Sequence, residues 1–195
     1  MIVMAKRNEF KPDKSGSNWL SKLYITPKQR RSILKWVLYS AVLLVLSLLQ
    51  DVVLCNFRIF GASTELIPCA IFLICLLEGT QNGCIFALIA SLLYWFSGAA
   101  LGAFAMVMIT ALSIFACMFR QGYLQKGFGA AMLCTAACVL IYEMGLFLLG
   151  AILNLTPWSR FGGFLLTAVM STLTAPVLYP LLLAIESIGG ETWKE

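Results

Sequence analysis

Between residues 33 and 188 the chain alternates long apolar runs with short polar breaks. The runs cover 33–55, 65–77, 82–96, 99–119, 128–153 and 161–188. The breaks at 56–64, 78–81, 97–98, 120–127 and 154–160 each contain polar residues, Gly or Pro. No run shows the period-two alternation of a barrel strand. A bilayer core about 30 Å thick takes roughly 20 helical residues. Backbone groups in lipid must bond to one another, and a helix does this within one segment. The pattern therefore predicts an all-α, polytopic membrane protein of about six transmembrane helices. Runs two and three are short, which suits thinned, tilted or protein-buried helices, or a re-entrant pair.

Composition agrees. Hydrophobic residues make up 61% of the 195 and charged residues 12%, against about 45–50% and about 25% in soluble domains. The charge distribution divides the chain into a basic tail (1–32), a membrane domain (33–188) and a short C-terminus (189–195). Nine of the fourteen Lys and Arg lie in the first 35 residues. Beside a membrane entry point this excess reads as orientation and attraction to anionic lipid, not as a nucleic-acid surface. With the tail inside and six crossings, twelve Lys and Arg fall on the cytoplasmic side and two, Arg58 and Arg160, outside. Both termini are thus expected in the cytoplasm of a multi-pass cell-membrane protein. The tail is too long and polar, and the first run too long, for a cleavable signal. It is expected to be disordered or to lie on the membrane surface. Trp36, Trp95, Trp158 and Trp193 fall near run ends, as interfacial anchors do, while Trp19 and Tyr24 sit in the tail.

Ionisable groups inside the apolar region are costly and are the first functional candidates. Glu143 lies near the middle of run five, beside Tyr142. It reads either as a carboxyl that fixes helix packing or as a contact for a partner, ion or substrate. Ser47, Gln50 and Asp51 have i, i+3, i+4 spacing, which places them on one face turned away from lipid, read either as a functional contact or as an outer-interface stripe that hydrogen-bonds span six or reaches water. Glu65, after Ser63 and Thr64, has the position of a helix start, where a carboxylate suits the helix dipole. Glu78 reads as a loop charge on the cytoplasmic side, and Glu186 as a solvated one.

Small residues mark close helix contacts. Gly79-x-x-x-Gly83 and Gly98-x-x-x-Gly102 have helix-packing spacing, within the molecule or towards a partner. Pro176 and Pro180 should kink run six, with Thr172 and Thr174 available to the freed carbonyls. The seven cysteines include no C-x-x-C and the chain has no His, so a zinc site is not expected. Cys134 and Cys138 share a helix face and read as small packing residues. No catalytic, metal or cofactor motif is present. Asp51 and Glu143 offer an acid–base pair only if the fold brings them together.

From Ser47 to Met106 the chain carries, in order, Gln50-Asp51, Ile59-Phe60-Gly61, Thr64-Glu65-Leu66-Ile67, Gly79-x-x-x-Gly83, Ser91 and Gly98-x-x-x-Gly102. This series resembles the rod shape-determining membrane protein MreD. That family has a Gln near the end of its first span, an I-x-G then Pro-Asp-Leu entry to the second, and paired glycines around the third. Thr64-Glu65 keeps the acid and loses the proline. A second acid expected near the end of span three is replaced in the Tyr94-Trp95 region. Runs five and six agree in hydropathy alone.

The resemblance implies a non-enzymatic scaffold of the bacterial wall-elongation machinery. Its partners would be MreC-like and MreB-like proteins, a SEDS glycosyltransferase and a class B penicillin-binding protein. It also implies a fold like the substrate-binding subunits of energy-coupling-factor transporters, which supplies the alternative function of a vitamin-type transporter subunit. Gln50, Asp51, Glu65 and Glu143 are the candidate partner-contacting or intramembrane polar residues under the first reading.

Overall fold

The computed structural model describes residues 27–54, 64–98, 102–123 and 127–188. Most of the basic tail, Trp19, Tyr24, Cys55, Arg58, Lys126, Trp193 and the C-terminal seven residues lie outside these segments. Among the described residues every regular element is a helix, with no strand. The elements are α1 (Pro27–Leu48), a π-helical stretch (Leu49–Leu54), α2 (Leu66–Glu78), α3 (Thr80–Phe96), α4 (Ala103–Tyr123), α5 (Phe128–Ile152), a 3-10 turn (Trp158–Arg160) and α6 (Phe161–Ile188). α1 starts six residues before the apolar run. Pro suits a first helical position, and the basic residues that follow carry the helix beyond the run.

Four of these segments are long and apolar enough to cross a membrane: 30–54 (α1 with its π stretch), 103–121 in α4, α5, and α6 with the turn before it. α2 and α3 are shorter. α2, at 13 residues, is about 20 Å long.

The reason α2 can be short is its position. It packs against α1, α3, α4, α5 and α6, and every residue from Leu66 to Leu77 is buried. A helix that is apolar on all sides belongs in the core, so the protein-buried option for run two holds. Pro68 falls in its first turn, where a missing N–H is tolerated.

The helices alternate in direction. Lys35 near the start of α1 meets Glu78 at the end of α2, and Gln121 near the end of α4 meets Thr80 at the start of α3. Phe147 late in α5 packs on Phe161 early in α6, while Phe128 at the start of α5 packs on Tyr179. The end holding Lys35, Glu78, Arg120 and Glu186 is the basal end below. The end where Gln50 meets Leu66 is the distal end.

Two glycine pairs, read alike in the sequence, have different roles. A Cβ on Gly83 would lie 3.1 Å from the Cys75 carbonyl oxygen and 3.2 Å from its Cα. Gly83 therefore sets the close approach of α3 to α2, and Gly79 makes the one-residue break between them at φ +84°. Gly98 and Gly102 make no close helix contact with the described residues. Both have positive φ at the α3–α4 connection, and a Cβ there would touch nothing within 4 Å among the described residues. Their spacing reflects turn geometry, available to Gly at little cost. Close packing at Gly145, where a Cβ would collide with Met108, was not foreseen.

α6 runs unbroken through Pro176 and Pro180. Thr172 and Thr174 do not serve the carbonyls those prolines free. Their hydroxyls donate to Ala168 O and Ser171 O, at 2.8 and 2.7 Å. Cys69, Cys75, Cys117, Cys134 and Cys138 are buried free thiols, as expected of packing residues. Cys117 Sγ also donates to Cys75 O at 3.2 Å, and Cys75 Sγ to Gly83 O at 3.2 Å.

Candidate functional site

A buried helix presents a physical problem at each end, because its terminal N–H and C=O groups have no water. Most polar side chains singled out from the sequence are gathered at these two ends.

At the distal end, Gln50 Oε1 accepts from Leu66 N at 2.9 Å and Ile67 N at 3.2 Å. The cap of α2 thus comes from the end of α1, not from Glu65. Glu65 occupies the N-cap position, but its side chain makes no capping bond. Its backbone N–H donates to Ser171 Oγ of α6 at 2.9 Å. The carboxylate turns inward towards the hydroxyls of Tyr94 and Tyr142. Glu143, 1% exposed, lies within electrostatic range of Glu65. Glu65 Oε2, Tyr142 Oη and Glu143 Oε1 are buried, and none has a partner at hydrogen-bond distance among the described residues. Gln50, Glu65 and Glu143, far apart in sequence, therefore belong to one cluster with Tyr94 and Tyr142.

Asp51 does not join it and stays exposed, as the outer-interface reading of the stripe has it. The π-helical stretch winds more residues into each turn than an α-helix does. Gln50 swings into the bundle, while Asp51 stays exposed, 3.5 Å from the Ser47 hydroxyl that donates to it. The single inward face predicted for Ser47, Gln50 and Asp51 is split. The carboxyl near Glu143 is Glu65, not Asp51, so the acid–base pair considered from sequence is not formed.

The basal end was largely missed. Glu78 is not a loop charge: Lys35 Nζ lies 2.7 Å from its Oε2, and Tyr39 Oη donates to its Oε1 at 2.8 Å. The Lys35 and Glu78 side chains are 8% and 3% exposed. Arg120 Nη1 donates to Leu77 O at 2.8 Å and so closes the C-terminus of α2. Glu186 is buried, not solvated, and lies within electrostatic range of Tyr39 and Arg120. The available clue was that two carboxylates, Glu65 and Glu78, flank one short, wholly apolar run. A helix with no polar face must have both ends tied by other segments.

The distal cluster has acceptors and hydroxyls but, among the described residues, no cluster of three His, Cys, Asp or Glu suited to a metal ion. Its oxygens offer hydrogen-bond acceptance to a donor arriving from outside the chain. No family model, curated protein or solved structure matches the chain.

Proposed function

We propose that the chain is a non-enzymatic integral membrane scaffold of the wall-elongation machinery, similar to MreD. In this reading all six helices lie in the cell membrane, with α2 and α3 as short spans and both termini cytoplasmic. One observation carries it. The motif elements behind the resemblance are distant in sequence yet act as a unit: Gln50 caps the helix that Glu65 introduces. Tyr94, in the region where the resemblance leads one to expect a second acid, faces the same carboxylate. A motif series that builds the distal end of a buried central helix is a reason for these residue types to occur in this order.

The scaffold binds an MreC-like partner and, with it, MreB-like, SEDS and class B penicillin-binding proteins. Affinity purification from native membranes, with mass spectrometry, is the test. Recovery of wall-elongation proteins, with loss of rod shape on depletion, is expected. Normal shape after depletion, together with no elongation protein in the eluate, overturns the reading.

A further inference from the structure

Among the described residues, the thiols of four helices gather near the basal end. Cys117 of α4 is the centre of the group. Its side chain interacts with those of Cys75 on α2 and Cys84 on α3. Cys134 and Cys138 of α5 lie within electrostatic range of it. The backbone agrees on the α3 side: a Cβ on Gly83, next to Cys84 in the chain, would lie 3.4 Å from Cys117 Sγ. Spacing in the sequence gives no hint of this meeting, because Cys75, Cys84 and Cys117 belong to three different helices.

Cys84 differs from the thiols behind it. Cys75 and Cys117 are fully buried, and Cys75 Sγ donates to Gly83 O at 3.2 Å. Cys84 is half-buried and follows exposed Gln81 and Asn82 near the start of α3. A small oxidant arriving from water meets Cys84 first. Cys117 has a cationic neighbour, since the Arg120 guanidinium one turn on lies within electrostatic range of its sulfur. Reactive cysteines sit in such surroundings, and a reachable thiol beside a second, resolving one is the arrangement of redox-responsive pairs.

The Cys117 thiol also helps to hold the α2–α3 junction. It donates to Cys75 O at 3.2 Å and to Gly79 O at 3.6 Å. Those two carbonyls also accept the Gly79 and Gly83 N–H groups, at 3.1 and 3.0 Å. A Cys117 sulfur bonded to Cys84 has no hydrogen left to give them.

We propose that Cys84 and Cys117 form a hydroperoxide-sensitive dithiol whose oxidation to a disulfide loosens the α2–α3 junction. The Cys84 sulfur attacks one hydroperoxide oxygen, the O–O bond breaks, and the thiol proton leaves with the other oxygen as water or an alcohol. The Cys117 sulfur then attacks the Cys84 sulfenic sulfur, the S–S bond forms, and the hydroxyl leaves with the Cys117 proton as water. Two thiols are oxidised and one hydroperoxide is reduced. A dithiol reductant reverses the step by exchange, and a reducing compartment keeps it transient. The inference goes beyond the scaffold reading and does not depend on it.

The test treats the full chain in native membranes with hydrogen peroxide. Unreacted thiols are blocked with N-ethylmaleimide in denaturant, and peptides are mapped by mass spectrometry without reduction. A Cys84–Cys117 link, lost on addition of dithiothreitol, is expected. Cys84→Ser is expected to lose the link and leave Cys117 reduced. Cys117→Ser is expected to leave Cys84 as a sulfenic acid that dimedone captures, and Cys75→Ser to keep the link. Amide exchange at Gly79 and Gly83 is expected to rise on oxidation, to return with dithiothreitol, and to stay unchanged by peroxide in Cys84→Ser. The variant Ser187→Cys, at an exposed basal position, reports that the peroxide dose is sufficient. Cys84 and Cys117 both reduced at a dose that oxidises that variant overturn the pair. A link from Cys117 to Cys75, or between two copies of the chain, overturns it as well. A Cys84–Cys117 link that leaves exchange at Gly79 and Gly83 unchanged overturns the loosening. The map of the unsubstituted chain decides the pairing even where a variant fails to fold.

Discussion

Lys35 Nζ lies 2.7 Å from Glu78 Oε2, and the two residues come from helices separated by the whole of the first connection. Tyr39 occupies the other carboxylate oxygen at 2.8 Å, so the acid at the end of α2 is held by two groups one turn apart on α1. Taking two charges out of water is costly, and removing one of them leaves the other buried without compensation. Lys35→Met is therefore expected to destabilise the protein by roughly 3–5 kcal/mol, and the pair Lys35→Met with Glu78→Leu to recover much of that loss. Tyr39→Phe removes a single hydrogen bond and is expected to cost about 1–2 kcal/mol. Unfolding in mixed micelles of the three variants checks the order. A double variant no more stable than Lys35→Met refutes the argument.

The cap of α2 separates Gln50 from Glu65. Gln50→Ala leaves two buried N–H groups, at Leu66 and Ile67, without an acceptor, and is expected to cost about 2–3 kcal/mol. Glu65→Gln removes no capping bond and keeps the side chain's size, so it is expected to change stability by less than about 1 kcal/mol. If unfolding shows the two substitutions to be equal, or Glu65→Gln the worse, the cap has been assigned to the wrong residue.

How much of this was legible in the sequence follows from which physical signals are local. Helix positions were, because each depends on a run of apolar residues long enough to exclude water, and the ends of α5 and α6 fall where the runs end. That α2 is enclosed was half legible: a run of twelve apolar residues has no polar face, but its neighbours are set by packing. The cluster of Gln50, Glu65 and Glu143 was legible as a set of candidates and not as a site, since nothing in spacing along the chain says that α1, α2 and α5 meet. Glu78 and Glu186 were misread for the same reason, as their burial depends on Lys35, Tyr39 and Arg120 from other helices. Asp51 was legible as an interface residue able to reach water, but its separation from Gln50 was not, because the π-helical stretch that splits their face is a local event no periodicity count anticipates. The Gly98 and Gly102 spacing misled because turn glycines and packing glycines look alike without φ.

Glycine substitutions should therefore split. Gly83→Val puts side-chain atoms against the Cys75 backbone, which cannot yield as a flexible side chain would. It is expected to force α2 and α3 apart at a cost of about 1–3 kcal/mol. Gly102→Ala meets no neighbour and pays only for a positive φ, about 1–2 kcal/mol, and Gly102→Asn should recover part of this because Asn tolerates that conformation. Thermal unfolding of the three variants tests the split, and a tolerated Gly83→Val would show that the α2–α3 contact is looser than described.

Arg120 provides the final contrast, because its guanidinium serves a backbone carbonyl at the buried end of α2. The Leu77 oxygen takes Nη1 at 2.8 Å, and the charge also lies within range of Glu78 and Glu186. Arg120→Lys keeps the charge but replaces a rigid planar fork with a shorter, more strongly hydrated ammonium. Arg120→Gln keeps a donor and loses the charge. If the electrostatic role dominates, Arg120→Lys is expected to retain most of the stability and Arg120→Gln to lose about 2–3 kcal/mol, the scale of a hydrogen bond to a charged group. If capping alone mattered, the two variants would fall together. Paired unfolding curves at low and high salt decide between these outcomes. Because the group is half-buried, the cost of Arg120→Gln should change little as ionic strength rises, while an exposed charge such as Arg160 should show no measurable effect on stability when replaced by Gln.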